Sequence, residues 1–235
     1  MKRVLITAAL LLTPLVASAA APPQPYTARY EVSRNGSRLG TATVSFHKLP
    51  NGRYELRSDT VGSEGLAAIA GVTVNERSVL RWDGQPETVA YTYRQKMAWK
   101  TRERGMQVDS AARRIDSTDK DRSYSPRYEP GVLDRNAVVV AVMGDVAAGR
   151  TGDLHYRIPD HDDLGTWTYR TGGTEQVTTP MGAQRAVRVE RIRDSGNGRS
   201  TTLWLSPERN FVPIRMLQRE PDGETIEMRI VSLQP

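Results

Sequence analysis

Along most of the chain, hydrophobic and polar residues trade places at every second position, which is the period of a strand and not of a helix. The pattern is clearest over residues 201–233. Thr202, Trp204 and Ser206 fall on one face there, and Thr201, Leu203 and Leu205 on the other. Residues 206–210 make a turn, with Pro207 presetting φ. A return strand covers 211–220, and Pro221-Asp222-Gly223 turns the chain into a third strand over 225–233. The other end of the chain repeats the scheme. Tyr26, Ala28, Tyr30 and Val32 alternate with Thr27, Arg29 and Glu31, and Asn35-Gly36 predicts a tight hairpin turn. Residues 39–49 return with Val44 and Phe46 on one face, Asn51-Gly52 turns again, and 53–61 form the third strand.

Between these ends the alternation continues, with two interruptions. Residues 72–82 and 87–104 read as strands, the latter as one long bent strand or two shorter ones (Val89-Tyr91-Tyr93, then Met97-Trp99-Thr101). The polar stretch 106–128 predicts two weak edge strands and a loop, anchored by Val108 and Ile115. Further strands are expected over 153–159, 165–176 and 183–194, with turns at Pro180-Met181-Gly182 and Ser195-Gly196-Asn197-Gly198. The first interruption, residues 62–71, sets Leu66-Ala67-Ala68-Ile69-Ala70 between glycines. It predicts a short helical turn or an apolar loop, serving as a connection or a lid. The second, 131–149, predicts the one substantial helix. Asp134 suits its N-cap and Gly149 its C′ position, and Val138, Val139, Val142, Met143 and Val146 form a stripe at helical spacing. The expected fold is therefore mainly β: a curved antiparallel meander sheet, a half-barrel or open barrel, wrapped around one principal helix.

Composition narrows the function classes. The 235 residues contain no Cys, which removes disulfides, thiolate metal sites and a lipid-acceptor cysteine. Formal net charge is +6, and taking away Lys2 and Arg3 leaves +4, too little and too scattered to predict a nucleic-acid partner. Lys2-Arg3, the apolar run 4–16 and the small residues Ala17-Ser18-Ala19 have the layout of an export signal. The expected organisation is a signal peptide over 1–20, cut after Ala19 or Ala20, a Pro-rich leader over 21–25, and a single β-rich domain over 26–235. The expected location is the periplasm, as a soluble protein without a lipid anchor or a transmembrane span in the mature chain.

No motif for catalysis stands out. The sequence has no GxSxG elbow, phosphate-binding loop or HExxH pair. Of His47, His155 and His161, the last two flank Asp160, Asp162 and Asp163, and that spacing fits an inter-strand turn better than a metal site. No cofactor, metal or catalytic residue is predicted. The charged positions Arg188, Glu190, Arg215, Arg219, Glu227 and Arg229 predict a solvated sheet face laced with ion pairs.

From Tyr26 onward the chain resembles a family of Gram-negative periplasmic proteins of unknown function. The resemblance lies in YTARYEVSRNGSRLGTATVSF (26–46), GLAAIAG (65–71), GVLDRNAVVVAV (131–142), TTPMGAQRAVRVERIR (178–193) and TTLWLSPERNFVPIRMLQRE (201–220). It implies an antiparallel sheet around one helix, and no activity. Locally, LWLSPERNFVPIRM (203–216) is similar to the strand–turn–strand of periplasmic lipoprotein carriers, in which a curved sheet holds acyl chains beneath a helix. Three functions follow as expectations. The first is a binding module for an apolar or lipid-like envelope ligand, lined by Trp204, Ile214, Met216, Ile226 and Met228. The second is an envelope scaffold or adaptor that binds another protein through sheet edges or the 62–71 loop. The third is a hydrolase of wall or surface polymer, which would need two carboxylates facing each other across an open cleft.

Overall fold

The structure is a computed structural model that describes residues 20–193 and 198–235. The expected export signal, apart from Ala20, lies outside the described residues, as do Ser195, Gly196 and Asn197 of the expected turn. Eight strands come first: β1 (Tyr26–Arg34), β2 (Ser37–Lys48), β3 (Tyr54–Gly62), β4 (Thr73–Asp83), β5 (Gln85–Met97), β6 (Lys100–Asp109), β7 (Arg114–Asp119) and β8 (Arg122–Tyr124). A short helix, α1 (Gly65–Ile69), links β3 to β4. Helix α2 (Val138–Ala147) follows, and then β9 (Asp153–Asp160), β10 (Asp163–Thr179), β11 (Gly182–Ile192), β12 (Ser200–Ser206), β13 (Val212–Arg219) and β14 (Thr225–Gln234).

All fourteen strands join one open antiparallel sheet in the order β8-β7-β6-β5-β4-β3-β2-β1-β14-β13-β12-β11-β10-β9. Consecutive strands pair within β1–β8 and within β9–β14, and the β1–β14 pairing joins these two meanders at mid-sheet. The first meander runs outward from the middle to the β8 edge. The connection through α2 then carries the chain to the opposite edge, β9, and the second meander returns to the middle. The two free edges are thus the two ends of one crossing. Backbone bonds tie that crossing to both sides: Thr88 N–H donates to Val132 O on one, and Leu133 N–H to Arg157 O on the other, each at 2.9 Å.

Local chemistry accounts for the strand ends. Asn35 (φ 49°) and Gly36 (φ 78°) both take the left-handed conformation that a two-residue hairpin needs between right-twisted strands. Tyr26, Ala28, Tyr30 and Val32 are buried on the inner face, opposite Phe46, Val44, Ala42 and Gly40 of β2. The expected strand over 87–104 is two strands joined by a tight turn at Ala98-Trp99, with Ala98 at φ 50°. Neither turn residue is Gly, Pro, Asn or Asp, so the alternation Met97-Trp99-Thr101 reads straight through a turn that carries no turn signal.

Helix α2 starts later than the Asp134 cap suggests, because residues 135–137 form a turn that precedes it. Asp134 still caps that turn, its Oδ1 accepting from Asn136 N–H at 2.9 Å and Ala137 N–H at 2.8 Å. At the other end Gly149 (φ 78°) donates to Val146 O and Arg150 N–H to Asp145 O, each at 3.0 Å, which closes the helix in a Schellman motif. The single apolar stripe is corrected. Val140, Ala141, Gly144 and Asp145 are buried along with Val138, Val142, Met143 and Val146, and Val139 is half-buried. The sheet curves round the helix, and the leader crosses the remaining side. Trp82 Nε1–H donates to Ala20 O at 2.8 Å, and a Cβ on Gly144 would stand only 3.1 Å from Ala21 O. Among the described residues no helix is long and apolar enough to cross a membrane.

Candidate functional site

The inner face of the sheet grades from apolar to charged, and the register shows how. One cross-strand row runs Phe46, Leu56, Ser78, Tyr91, Met106, Ser117; the next runs Val44, Ser58, Glu76, Tyr93, Arg104, Asp119. Both rows begin in the core and end at the seam, where β6–β8 face β9 across the 134–135 segment. A pocket of about 80 Å³ lies there, with Tyr91, Arg104 and Asp119 on one wall and Asp134, Arg135 and Asp160 on the other.

Asp134 is the most constrained group at the seam. Its Oδ1 accepts from the Ser78 hydroxyl as well as from the two capped N–H groups, and its Oδ2 accepts from the Thr88 hydroxyl. Burial disfavours the charge more than these donors favour it, so the carboxyl is pushed up to about 6. Burial likewise raises Glu76, which accepts from the Tyr91 hydroxyl at 2.7 Å. Arg135 is lowered by burial and by the Arg104 guanidinium. Asp119 is held by Arg102 and Arg104, and Asp160 by Arg135 at 3.7 Å and His161 at 3.2 Å. Asp134 is thus held in a cap, Asp119 and Asp160 in ion pairs, and Glu76 by the Tyr91 hydroxyl.

A second inner-face patch lies on β11–β14 and takes in four of the five residues singled out from the sequence, all but Trp204. Met216 and Met228 are direct cross-strand partners, and Ile226 lies two positions before Met228 on the same face. All three are half-buried against the core. Ile214 is fully buried beside the bulge where β13 meets Leu205. Trp204 goes elsewhere. It pairs with Arg215, on the face opposite Met216; the Arg215 guanidinium sits 4.3 Å from its ring centre, and its Nε1–H donates to Glu175. Both faces of β12 are therefore covered, and the alternation over 201–206 does not separate a wet side from a dry one. Of the charged positions expected on the outer face, Arg215 pairs with Glu227 across β13 and β14 at 2.6 Å, while Arg188–Glu190 at 2.7 Å and Arg229–Glu227 at 2.9 Å pair along single strands.

Sequence reasoning missed Arg191. It extends the inward series Val187, Val189, Arg191, and its guanidinium lies 3.3 Å from the centre of the Trp167 ring. Its Nε is buried without a hydrogen-bond partner. Burial, with Arg193, Arg135 and Arg199 adding to it, pulls the guanidinium down to about 10. The signal was available in part: Arg191 shares the parity of Val189, which is buried. His155 bonds the Thr168 hydroxyl, and His161-Asp162 is the β9–β10 turn, with His161 at φ 59°.

The rim at the α1 end is exposed and apolar. Ile69, at the end of α1, is 84% exposed and Trp99, in the β5–β6 turn, 90% exposed; the Ala98 N–H bond to Ala70 O at 2.6 Å joins the two segments.

A family model described as a protein of unknown function, DUF3108, matches residues 26–231. No curated protein matches the chain. Among solved structures, a beta-barrel-like protein of a domain of unknown function, DUF1849, from Brucella abortus is similar over 91% of this chain and 99% of its own. Its identity is 14% and its TM-score 0.57, a likeness of fold. The Pseudomonas aeruginosa MucA/MucB complex aligns with 94% of this chain and 55% of its own, at 13% identity and a TM-score of 0.35. A Vibrio parahaemolyticus domain assigned to outer-membrane lipoprotein sorting aligns with 89% of this chain and 84% of its own, at 9% identity and a TM-score of 0.24. Scores that low do not separate a shared fold from shared strand content.

Proposed function

The chain belongs to the DUF3108 family, whose function is unknown, and we propose that it is an exported periplasmic module whose curved sheet holds an apolar or lipid-like molecule. One observation carries this reading. Helix α2 fills the inner face up to Tyr30, Ala42, Leu56 and Ile230, which are fully buried, whereas Met216, Ile226 and Met228 on the same face are left half-buried. Methionine suits such a surface, because its unbranched thioether adapts to chains of differing shape. Burying each such side chain under a ligand would contribute roughly 1 kcal/mol or more. The layout of residues 1–20 supports export, and with no cysteine the chain offers no lipid-acceptor thiol.

Native mass spectrometry of protein purified from the periplasm without detergent tests the binding. A bound species is expected on the wild type, and its loss on a Met216→Glu/Met228→Glu variant that keeps the wild-type circular dichroism. A wild-type spectrum at the bare polypeptide mass would sink the reading.

The rim favours a second reading, docking on an anionic bilayer. The β5–β6 tip reads Lys96-Met97-Ala98-Trp99-Lys100, an exposed indole and thioether between two exposed lysines, beside exposed Ile69. An indole at headgroup depth flanked by cations is complementary to an acidic membrane surface, where each nearby lysine contributes about 1 kcal/mol. Co-sedimentation with phosphatidylglycerol vesicles is expected for the wild type and not for Ile69→Ser/Trp99→Ser. Equal pelleting of the two proteins, or none, would discard it.

A further inference from the structure

We propose that Arg191, laid flat on Trp167, anchors the acidic head of a single-chain amphiphile whose tail lies along Met216, Met228 and Ile226. The inference deepens the binding reading above and rests on it. The register supplies the geometry. Tyr169, Arg191, Thr201, Gln218 and Ile226 form one cross-strand row, and Val189, Leu203, Met216 and Met228 form the next row inward. A polar, cationic row therefore borders an apolar one on the same face, one side-chain step apart.

The state of Arg191 points to a missing anion. Its Nε is shielded from water and bonds nothing, and among the described residues no carboxylate pairs with it, although carboxylates partner most arginines of this sheet. A shielded guanidinium donor left unmade is costly. The cations around it, Arg193 and Arg135, repel it and attract the same anion. Stacking on the indole fixes the plane of the guanidinium, so its donors are already aimed, the arrangement that suits a carboxylate or a phosphate monoester. Thr201, next along the row, brings a hydroxyl to the same level, and Gln218 beyond it donates to Glu220.

Calorimetric titration of the full chain with a long-chain fatty acid, the matching fatty alcohol and inorganic phosphate tests the anchor. The acid is expected to bind roughly tenfold or more tighter than the alcohol, the scale of a charge-assisted hydrogen bond. Arg191→Gln should abolish that preference by weakening acid binding far more than alcohol binding, and Arg191→Lys should restore part of it. Among the described residues Arg191 has no ion pair to lose, so Arg191→Gln is expected to fold, which its thermal melt checks. Equal binding of acid and alcohol by the wild type, or an acid preference surviving in Arg191→Gln, would overturn the anchor and leave the apolar site standing. Phosphate binding as tightly as the acid would replace it with a simple anion site. Binding of neither acid nor alcohol would remove the anchor together with the binding reading.

Discussion

Asp134→Asn is expected to remove a pH-dependent loss of stability of about 3 kcal/mol that the wild type shows as pH rises from about 4 to about 6. Burial pushes the carboxyl up to about 6 in the folded chain, against 3.8 for a solvated aspartate. Between those values the folded state keeps a proton that the unfolded chain has released. Its stabilising contribution is therefore complete below the unfolded pKa, declines as pH rises, and is gone above about 6. Asparagine does not titrate. Its amide oxygen can take the Oδ1 place, keeping the bonds from Ser78, Asn136 and Ala137, and its NH₂ can donate to the Thr88 hydroxyl. Asp119 and Glu227, both lowered by arginines, impose the opposite slope on the whole protein. The comparison is therefore the difference between the two proteins in urea unfolding, from about pH 3.5 to about pH 7.5. Parallel curves would show that the carboxyl is not desolvated as the fold implies. Asp134→Ala is the contrasting case. It strands two hydroxyls and two N–H groups, and should cost about 3 kcal/mol or more even at acidic pH.

Gly40→Ala should be among the most damaging single-methyl changes in the chain, at about 3 kcal/mol or more. Gly40 pairs with Val32 on one side and Gly62 on the other. A Cβ there would stand 2.0 Å from Val61 O and 2.9 Å from Gly62 Cα. Both obstacles are backbone, so no rotamer relieves them, and β2 and β3 must part where Ser63 and Glu64 bond Leu39 O. Gly52→Ala isolates the other glycine effect. Its Cβ would meet nothing within 4 Å, but φ is 80°, so only left-handed strain of about 1–2 kcal/mol is expected. If the two variants unfold at the same urea concentration, the close approach of β2 and β3 is wrong.

Much of this architecture is local, and the sequence by itself determined that part. Tyr26 to Val32 show their buried face through a period of two, Asn35-Gly36 must turn, and Asp134 and Gly149 mark the ends of the helical segment. In each case the deciding forces act within four or five residues: steric limits on φ, caps and side-chain alternation. Three features were left to the tertiary structure. The pairing of β1 with β14 brings together residues some two hundred positions apart, and no local preference encodes it. The side of the sheet that Trp204 faces depends on Arg215 and Glu175 arriving to cover it. The meaning of Arg191 and Asp134 depends on which groups the curvature sets beside them, since desolvation and charge pairing belong to a neighbourhood and not to a residue type.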